Sequence, residues 1–258
     1  MGFRIKPKKR LGQNFLVDKN VLNKIIEAAN LSLKDIVLEI GPGTGILTIE
    51  LAKRTKKVIA VEKDRELCAM LKENLKNYKN VEIINADILG VRPPILGGRT
   101  PKYKIVANLP YYITSPVIRK FLEAENPPQS MILMVQKEVA QRIIAKPPQM
   151  NILAVAVQFY AEPKIISYVS KNSFWPKPKV DSAIIKIVPH VGRTTSHIKI
   201  GVFFSLVKMG FSSKRKMLKN NLKIEESTFK NLGLNPKTRA ENLSIENWIK
   251  LYEKIYEK

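Results

Sequence analysis

The sequence predicts an α/β protein, with a mostly parallel sheet covered by helices and a small all-helical domain after it. Short apolar runs alternate with amphipathic stretches along most of the chain, a pattern typical of strands that are joined by helices. A glycine-rich turn follows the first apolar run, and the chain beyond the composition shift at 189–198 shows only short helical patterns. We therefore predict a first domain over 1–190 and a small helical domain over 191–258.

The elements of the first domain are predicted from apolar periodicity and from flanking residues. Residues 18–31 have helical spacing, and Asp18 is a suitable N-cap. Ser115 followed by Pro116 favours a helix start, because a hydroxyl can cap and proline fits the first helical position. Strands are predicted at 36–40, 57–62, 81–87, 104–108 and 130–135. The other helices are predicted at 46–54, 65–78 and 136–145.

The rest of the chain is harder to assign. Residues 151–160 fit either a strand or a helix, since periodicity alone does not separate the two. Residues 164–169 and 179–188 read as strands joined by a proline-rich connection. Short helical patterns follow at 203–211, 214–222 and 247–256.

The charge balance points to a polyanionic partner. Forty-five Lys and Arg stand against 22 Asp and Glu, which gives a formal net charge of +23. Such an excess favours fast, salt-sensitive association with nucleic acid, although a generally lysine-rich surface is the plainer alternative. Much of the charge lies in two segments without acidic residues, namely 1–17 (Arg4, Lys6, Lys8, Lys9, Arg10) and 192–220 (Arg193, Lys199, Lys208, Lys214, Arg215, Lys216, Lys219).

Several classes of protein are disfavoured. Cys68 is the single cysteine, so the chain has no internal disulfide and suits a reducing compartment. His190 and His197 lack neighbours at metal-ligand spacing, and we expect no metal site. No apolar stretch reaches the roughly 18 residues that span a bilayer, and the basic N-terminus lacks the apolar core of a secretory signal. We expect a cytoplasmic protein that does not enter a membrane, and a monomer.

Three successive predicted strands end in residues that suit an adenosine. The first is followed by EIGPGTG (39–45), whose glycines, including Gly41, let the backbone approach a ligand closely. Glu62 ends the second strand, where an acid can accept hydrogen bonds from ribose hydroxyls. Asp87 ends the third strand, where it can accept from the amino group of adenine. The alternative is that both acids are ordinary surface residues.

The glycine turn does not match the two common phosphate-binding loops. A dinucleotide fingerprint needs a third glycine at position 46, which is Ile46, and a triphosphate loop needs a lysine followed by Ser or Thr. An adenosine cofactor without phosphates remains. S-adenosyl-L-methionine fits best, with NAD as the alternative.

The fourth strand ends in NLPY (108–111), which predicts the place of the chemistry. The exocyclic amine of adenine is a weak nucleophile, because its lone pair is conjugated with the ring. The side-chain oxygen of Asn108 and the carbonyl of Leu109 can accept from its N–H groups, Pro110 can fix the turn, and Tyr111 can stack on an extruded base. Catalysis would then rest on positioning. The alternative is a structural turn in which Asn108 caps backbone and Tyr111 packs.

The chain resembles the ribosomal RNA adenine N6-dimethyltransferases, and most closely their bacterial small-subunit (KsgA-type) branch. The resemblance rests on the motifs already quoted and on LGQNFL (11–16), SFWPKPKVDSAI (173–184), GFSSKRKMLKNNL (210–222) and RAENLSIENWIKLYEKI (239–255). It implies a Rossmann-like S-adenosylmethionine-dependent methyltransferase fold with a small C-terminal helical domain. The chain departs from the usual family pattern at 149–154, which reads QMNILA.

The resemblance also implies an activity and a set of site residues. The activity is N6,N6-dimethylation of two adjacent adenosines in a hairpin near the 3' end of small-subunit (16S) rRNA during ribosome biogenesis. The residues implied to bind the cofactor are Asn14, Leu16, Gly41, Glu62, Asp87 and Asn108. Phe174 is implied to face Tyr111 across the target adenine, although by itself it is only an aromatic in a proline-rich loop, where packing is equally plausible.

Two other functions remain open from the sequence. One is the related large-subunit rRNA methyltransferase that confers antibiotic resistance, whose members usually show isoleucine at the position of Leu109 and a different helical tail. The other is a non-catalytic RNA-binding assembly or transcription factor, which the intact Asn108 and Tyr111 disfavour.

Overall fold

The computed structural model describes residues 6–91, 102–190 and 197–256. Its contacts divide the chain into two compact units. The first unit contains residues 1–140 and 162–189, and the second contains 141–161 and 190–258. The predicted division at 190/191 therefore differs from these units at 141–161 and at His190, which belong to the second unit.

The helices and strands have the following bounds. The strands are β1 (Phe15–Leu16), β2 (Ile36–Ile40), β3 (Lys57–Glu62), β4 (Val81–Asn85), β5 (Tyr103–Asn108), β6 (Ser130–Gln136), β7 (Ala161–Val169), β8 (Phe174–Trp175) and β9 (Ser182–Pro189). The helices are α1 (Lys19–Ala29), α2 (Ile46–Ala52), α3 (Arg65–Asn74), α4 (Thr114–Leu122), α5 (Lys137–Ile143), α6 (Ile152–Tyr160), α7 (Ile200–Gly210), α8 (Leu218–Leu222), α9 (Glu226–Asn231) and α10 (Ile245–Tyr256).

The main sheet has the strand order β4-β3-β2-β5-β6-β9-β7. The pairs β2–β3, β2–β5, β3–β4 and β5–β6 are parallel, and β9 runs antiparallel to β6. The predicted α/β fold with a mostly parallel sheet is confirmed. Since the carboxyl ends of parallel strands meet at one edge, β2, β3, β4 and β5 end together, and the strand order reverses beside β2. That edge is the usual ligand site of such sheets.

The first unit follows the predicted elements with small shifts. The Asp18 side chain accepts from the amides of Asn20 and Val21, so the predicted cap is confirmed. Helix α4 begins at Thr114 rather than at Pro116, because the 3₁₀ turn Tyr111–Ile113 leads directly into it. Ser115 therefore lies inside the helix, and the predicted cap at Ser115 is wrong. The sheet is apolar on both faces, as in strands covered by helices, and Val37, Val106 and Ile132 are fully buried with residues of α1 and α2.

The second unit is a group of helices around an aromatic core. The segment at 151–160, which fitted a strand or a helix, forms α6, and Asn151 caps it by accepting from the amide of Ala154. Phe159 of α6 packs on Phe203 of α7, with ring centroids 4.7 Å apart. This burial explains why 141–161 belongs to the second unit.

The predicted helices at 203–211, 214–222 and 247–256 correspond to α7, α8 and α10. Part of the predicted boundary, residues 191–196, lies outside the described residues. Across the described ranges, every helix is too short or too polar to cross a membrane.

Candidate active site

One cavity opens at the carboxyl edge of the sheet, entirely within the first unit. It encloses about 1000 Å³, counting its open mouth, which is enough for a nucleoside-sized ligand. Its walls come from the N-terminal segment 11–16, the glycine turn, and the residues that follow β3, β4 and β5. The predicted residues that line it are Asn14, Leu16, Gly41, Glu62, Asp87, Asn108, Leu109, Pro110 and Tyr111. The structure therefore brings together every predicted site residue except Phe174.

The glycine turn is held in a conformation that suits glycine. Gly43 and Gly45 have φ angles of +59° and +86°, in the left-handed region. A Cβ atom on Gly45 would lie 2.8 Å from Leu71 Cδ2, so a larger residue would have to displace the buried Leu71 side chain of α3. The turn therefore presents bare backbone to the cavity and leads directly into α2.

Glu62 is tied to this turn. One of its carboxylate oxygens accepts from the amide of Gly43 at 3.3 Å and the other from the amide of Asp64 at 2.8 Å. Burial raises the pKa of Glu62, and the two amides partly oppose that rise. Each carboxylate oxygen retains capacity to accept further hydrogen bonds, as two ribose hydroxyls would require.

Asp87 lies just beyond the end of β4 and is half-buried. Its carboxylate accepts from Lys63 Nζ at 2.7 Å and from the amide of Leu89 at 3.0 Å. The hydrogen bond from Lys63 is the main reason that the pKa of Asp87 is lowered, so the side chain is an anionic acceptor. Its place at the cavity edge suits an amino group.

Glu39 is a cavity residue that sequence reasoning did not assign to the site. It lies in β2, is only 1% exposed, and neither of its carboxylate oxygens has a hydrogen-bond partner within the described residues. Burial raises the pKa of Glu39 to about 8, the Glu62 charge adds to the rise, and the nearby Thr48 hydroxyl partly offsets it without making a hydrogen bond. The signal in the sequence was the one charged residue inside the apolar run IVLEI (36–40).

Asn108 is fixed by the N-terminal segment. Its Nδ2 donates to the backbone carbonyl of Asn14 at 3.0 Å. A carbonyl can only accept, so this bond sets the orientation of the amide and leaves Asn108 Oδ1 as an acceptor. The side-chain amide of Asn14 in turn donates to the carbonyl of Gly12 at 3.2 Å.

The rest of NLPY is rigid. Leu109 is buried, and its amide donates to the carbonyl of Met134 at 3.2 Å. Pro110 precedes the 3₁₀ turn that begins at Tyr111, and Tyr111 Oη lies 2.8 Å from Ser182 Oγ. Burial raises the pKa of Tyr111, so its phenol stays neutral and serves as a ring anchored by its hydroxyl.

Phe174 differs in its surroundings from the other predicted site residues, and its implied place opposite Tyr111 stays a prediction. It is 4% exposed, it packs in the apolar core, and it does not line the cavity. The cause is the short antiparallel ladder in which Leu16 pairs with Phe174 and Phe15 with Trp175. Neighbouring side chains of a strand point to opposite faces, so the ring of Phe174 turns inward and the indole of Trp175 turns out.

Part of the predicted basic arm is already paired. Lys8 Nζ contacts Asp64 at 2.8 Å and Glu66 at 3.1 Å, and Gln13 Nε2 donates to the same Asp64 carboxylate at 3.0 Å. These contacts hold the N-terminal segment against the cavity. In the other basic segment Lys219 pairs with Glu226. Arg4 and Arg193 lie outside the described residues.

The single cysteine does not line the cavity, although its Sγ donates to the backbone carbonyl of the cavity residue Glu62 at 3.5 Å. Cys68 is buried in α3, and burial is the main reason that its pKa is raised. Within the described ranges, no cluster of three or more His, Cys, Asp and Glu side chains could hold a metal ion.

Comparisons with known proteins agree with this geometry. Residues 4–257 match the family described as ribosomal RNA adenine dimethylase. The chain is similar to the ribosomal RNA small subunit methyltransferase A of Dehalococcoides mccartyi (47% identity, 97% of this chain, 89% of the relative). It is also similar to the protein of that name from Clostridium botulinum (43% identity, 99% of this chain, 96% of the relative).

Solved structures show the same fold over nearly the whole chain. A dimethyladenosine transferase from Plasmodium falciparum has a TM-score of 0.78 and 30% identity, covering 92% of this chain and 95% of its own. The 23S rRNA methyltransferase ErmE has a TM-score of 0.78 and 28% identity, covering 93% of this chain and 99% of its own. The resemblance read from the motifs and the Rossmann-like methyltransferase fold are confirmed, and the chain belongs to the ribosomal RNA adenine dimethylase family.

Proposed function

We propose that this protein dimethylates N6 of two adjacent adenosines in a hairpin near the 3' end of small-subunit (16S) rRNA during ribosome biogenesis, with S-adenosyl-L-methionine as methyl donor. The observation that carries the proposal is the convergence of Glu62, Asp87 and Asn108–Tyr111 on one cavity. The family of the chain supports the reaction, and the names of the relatives at 43–47% identity support the small subunit. We further propose that it acts in the cytoplasm as a monomer.

The cavity suits a cationic adenosine cofactor. Glu62 would hold the ribose hydroxyls, Asp87 the adenine amine, and Asn14, Leu16 and Gly41 the walls around it. When bound, S-adenosyl-L-methionine supplies an electrophilic methyl group on a sulfonium. The carboxyl oxygens of Glu39 lack partners among the described residues, and a positive charge bound beside them would favour ionisation of this buried group.

The same charges disfavour NAD. Among the described residues that line the cavity, the charged side chains are Glu62, Asp87 and Lys63, and Lys63 is already paired with Asp87. Glu39 also lines it but stays protonated below a pKa of about 8. The two phosphates of a dinucleotide would therefore meet carboxylates without a free cation. Ile46 also stands where the third glycine of the fingerprint is needed.

The chemistry at NLPY is positioning and hydrogen bonding. Asn108 Oδ1, oriented by its donor bond to Asn14, would accept from the adenine amine, and the Leu109 carbonyl would accept from the second N–H. These acceptors favour a pyramidal nitrogen whose lone pair is free to attack. The Tyr111 ring, anchored at Ser182, would stack on the extruded base.

The experiment that tests this proposal is methyl transfer from labelled S-adenosyl-L-methionine to undermethylated small and large ribosomal subunits, followed by nucleoside analysis of digested RNA. We expect dimethyladenosine in the small-subunit RNA alone. Label in the large-subunit RNA would instead indicate a 23S rRNA methyltransferase, the activity in the name of ErmE. Binding of cofactor and RNA without label in either subunit would indicate a non-catalytic factor.

A further inference from the structure

Trp175 exposes an aromatic face that the reaction just described does not use. Its side chain is 52% exposed, whereas the other tryptophan, Trp248, is fully buried. The exposure follows from the strand: Phe174 pairs with Leu16 and turns into the core, so Trp175 turns out.

The indole stands directly behind the cavity wall. Trp175 pairs with Phe15 in the β1–β8 ladder, and the two rings are stacked with centroids 6.3 Å apart and an interplanar angle of 26°. Phe15 itself lines the cavity. One face of the indole is thus supported by Phe15, while half of its surface remains open to solvent.

The chain next to the indole carries unpaired positive charge. Lys177 and Lys179 are exposed, and neither forms an ion pair with any described residue. The acid in this loop, Asp181, accepts from the backbone amide of Lys171. An open aromatic face beside two free ammonium groups is the combination that single-stranded nucleic acids use, because bases stack on rings and phosphates pair with lysines.

We propose that Trp175 is a stacking platform for a base of the RNA strand that adjoins the target adenosine, with Lys177 and Lys179 on its phosphates. This rests on the proposed function, since the partner is its RNA substrate. The competing explanation is structural: the indole only covers Phe15.

A fluorescence titration tests the contact directly. The Trp248→Phe variant leaves Trp175 as the sole tryptophan, and the Trp175→Phe variant leaves only buried Trp248. We expect a short single-stranded RNA oligonucleotide to quench the tryptophan fluorescence of the Trp248→Phe variant and to leave that of the Trp175→Phe variant unchanged. Equal responses, or no quenching of Trp175 by RNA at saturation, would overturn the proposal.

Kinetics separates stacking from covering. Trp175→Leu keeps an apolar cover on Phe15 without an aromatic face, so we expect it to raise KM for undermethylated subunits roughly 5- to 150-fold. Its kcat and its affinity for S-adenosyl-L-methionine should stay unchanged, and Trp175→Phe should recover most of the loss. Leu33→Ala, at a position 73% exposed in the first unit, is the surface control.

The two proposals fail in different ways. A wild-type protein that transfers no methyl group would contradict the proposed function, and the quenching would still report whether Trp175 meets RNA. Normal transfer together with an unchanged KM in Trp175→Leu would refute only the stacking platform.

Discussion

The cavity wall and the core of the second unit have two features in common: a glycine packed closely against a side chain, and a buried polar group without a hydrogen-bond partner. The two regions differ in the chemistry of that polar group. In the wall, Gly45 lies against Leu71, and the unpartnered atoms are the carboxylate oxygens of Glu39. In the second unit, Gly210 lies against Trp248, and the unpartnered atom among the described residues is the indole nitrogen. An orphaned carboxyl costs far more than an orphaned N–H when it is ionised, and it can avoid that cost only by keeping its proton.

This difference suggests that the cavity wall serves ligand binding, whereas the second core serves stability. Close packing of Phe211 on Trp248, with ring centroids 5.8 Å apart, compensates for one unpaired nitrogen in the second unit. The Glu39 oxygens have no hydrogen-bond partner among the described residues, and we infer that the fold gives up some stability there for a ligand. Substitutions at the cavity should therefore change activity or pH behaviour, and substitutions in the second core should change unfolding.

The largest effect is expected at Asn108. Asn108→Ala removes the oriented acceptor, and we expect the rate of methyl transfer in single turnovers to fall about 100- to 1000-fold. Cofactor affinity should stay within roughly tenfold, because the glycine turn, Glu62 and Asp87 are untouched. Single-turnover transfer and calorimetric titration of S-adenosyl-L-methionine measure the two quantities.

A matched variant isolates the orientation of the amide. In Asn108→Asp the side chain keeps its shape but cannot donate to the carbonyl of Asn14. We expect it to be as slow as Asn108→Ala. Transfer near the wild-type rate in either variant would refute the role given to this residue.

The second core should respond to Gly210→Ala. A Cβ atom there would lie 2.4 Å from a ring carbon of Trp248 and 2.8 Å from Leu218 Cδ1, so the core must shift. We expect the free energy of unfolding to fall by about 1–3 kcal/mol, measured by urea unfolding in a Trp175→Phe background in which Trp248 reports the second unit.

Gly201→Ala, in the same helix, is the control. A Cβ atom on Gly201 would meet nothing within 4 Å, and alanine favours helix over glycine. This variant should be neutral or up to about 1 kcal/mol more stable. If both glycine variants unfold alike, tight packing at Gly210 is not the reason for the effect.

The raised pKa of Glu39 predicts that the stability of the protein depends on pH. An unfolded carboxyl titrates near its ordinary value of 4.5, whereas burial raises the pKa of Glu39 in the native protein to about 8. Between these values the native state holds a proton that the unfolded state has lost, so the free energy of unfolding falls as pH rises, by up to about 1.4 kcal/mol per pH unit.

Glu39→Gln removes that contribution. Relative to the variant, wild-type protein without cofactor should lose stability steadily from about pH 5 to about pH 7.5. Urea unfolding at intervals across this range measures the difference. Parallel curves for the two proteins would show that Glu39 does not titrate as its burial requires.

The sequence could predict the parts of the site that follow from local pattern. The sequence shows where each strand ends and which polar residue stands there. Because a parallel sheet brings these strand ends to one edge, the glycine turn, the two acids and Asn108 could be predicted to meet. The burial of Glu39 could not be predicted, because it depends on what covers β2. The same holds for Trp175, whose outward direction is set by pairing with Phe15, far away in the sequence.

The smallest effect is expected at Tyr111, and it separates the ring from its hydroxyl. Tyr111→Phe removes the hydrogen bond to Ser182 Oγ but keeps the face that would stack on the adenine. We expect a loss of about 0.5–1.5 kcal/mol in the free energy of unfolding and methyl transfer within roughly tenfold of wild type.

Tyr111→Ala, which also removes the face, should weaken RNA binding by about 1–3 kcal/mol. Urea unfolding and filter binding of undermethylated RNA give both comparisons. If the Phe variant loses as much RNA affinity as the Ala variant, the Tyr111 hydroxyl rather than the ring holds the base.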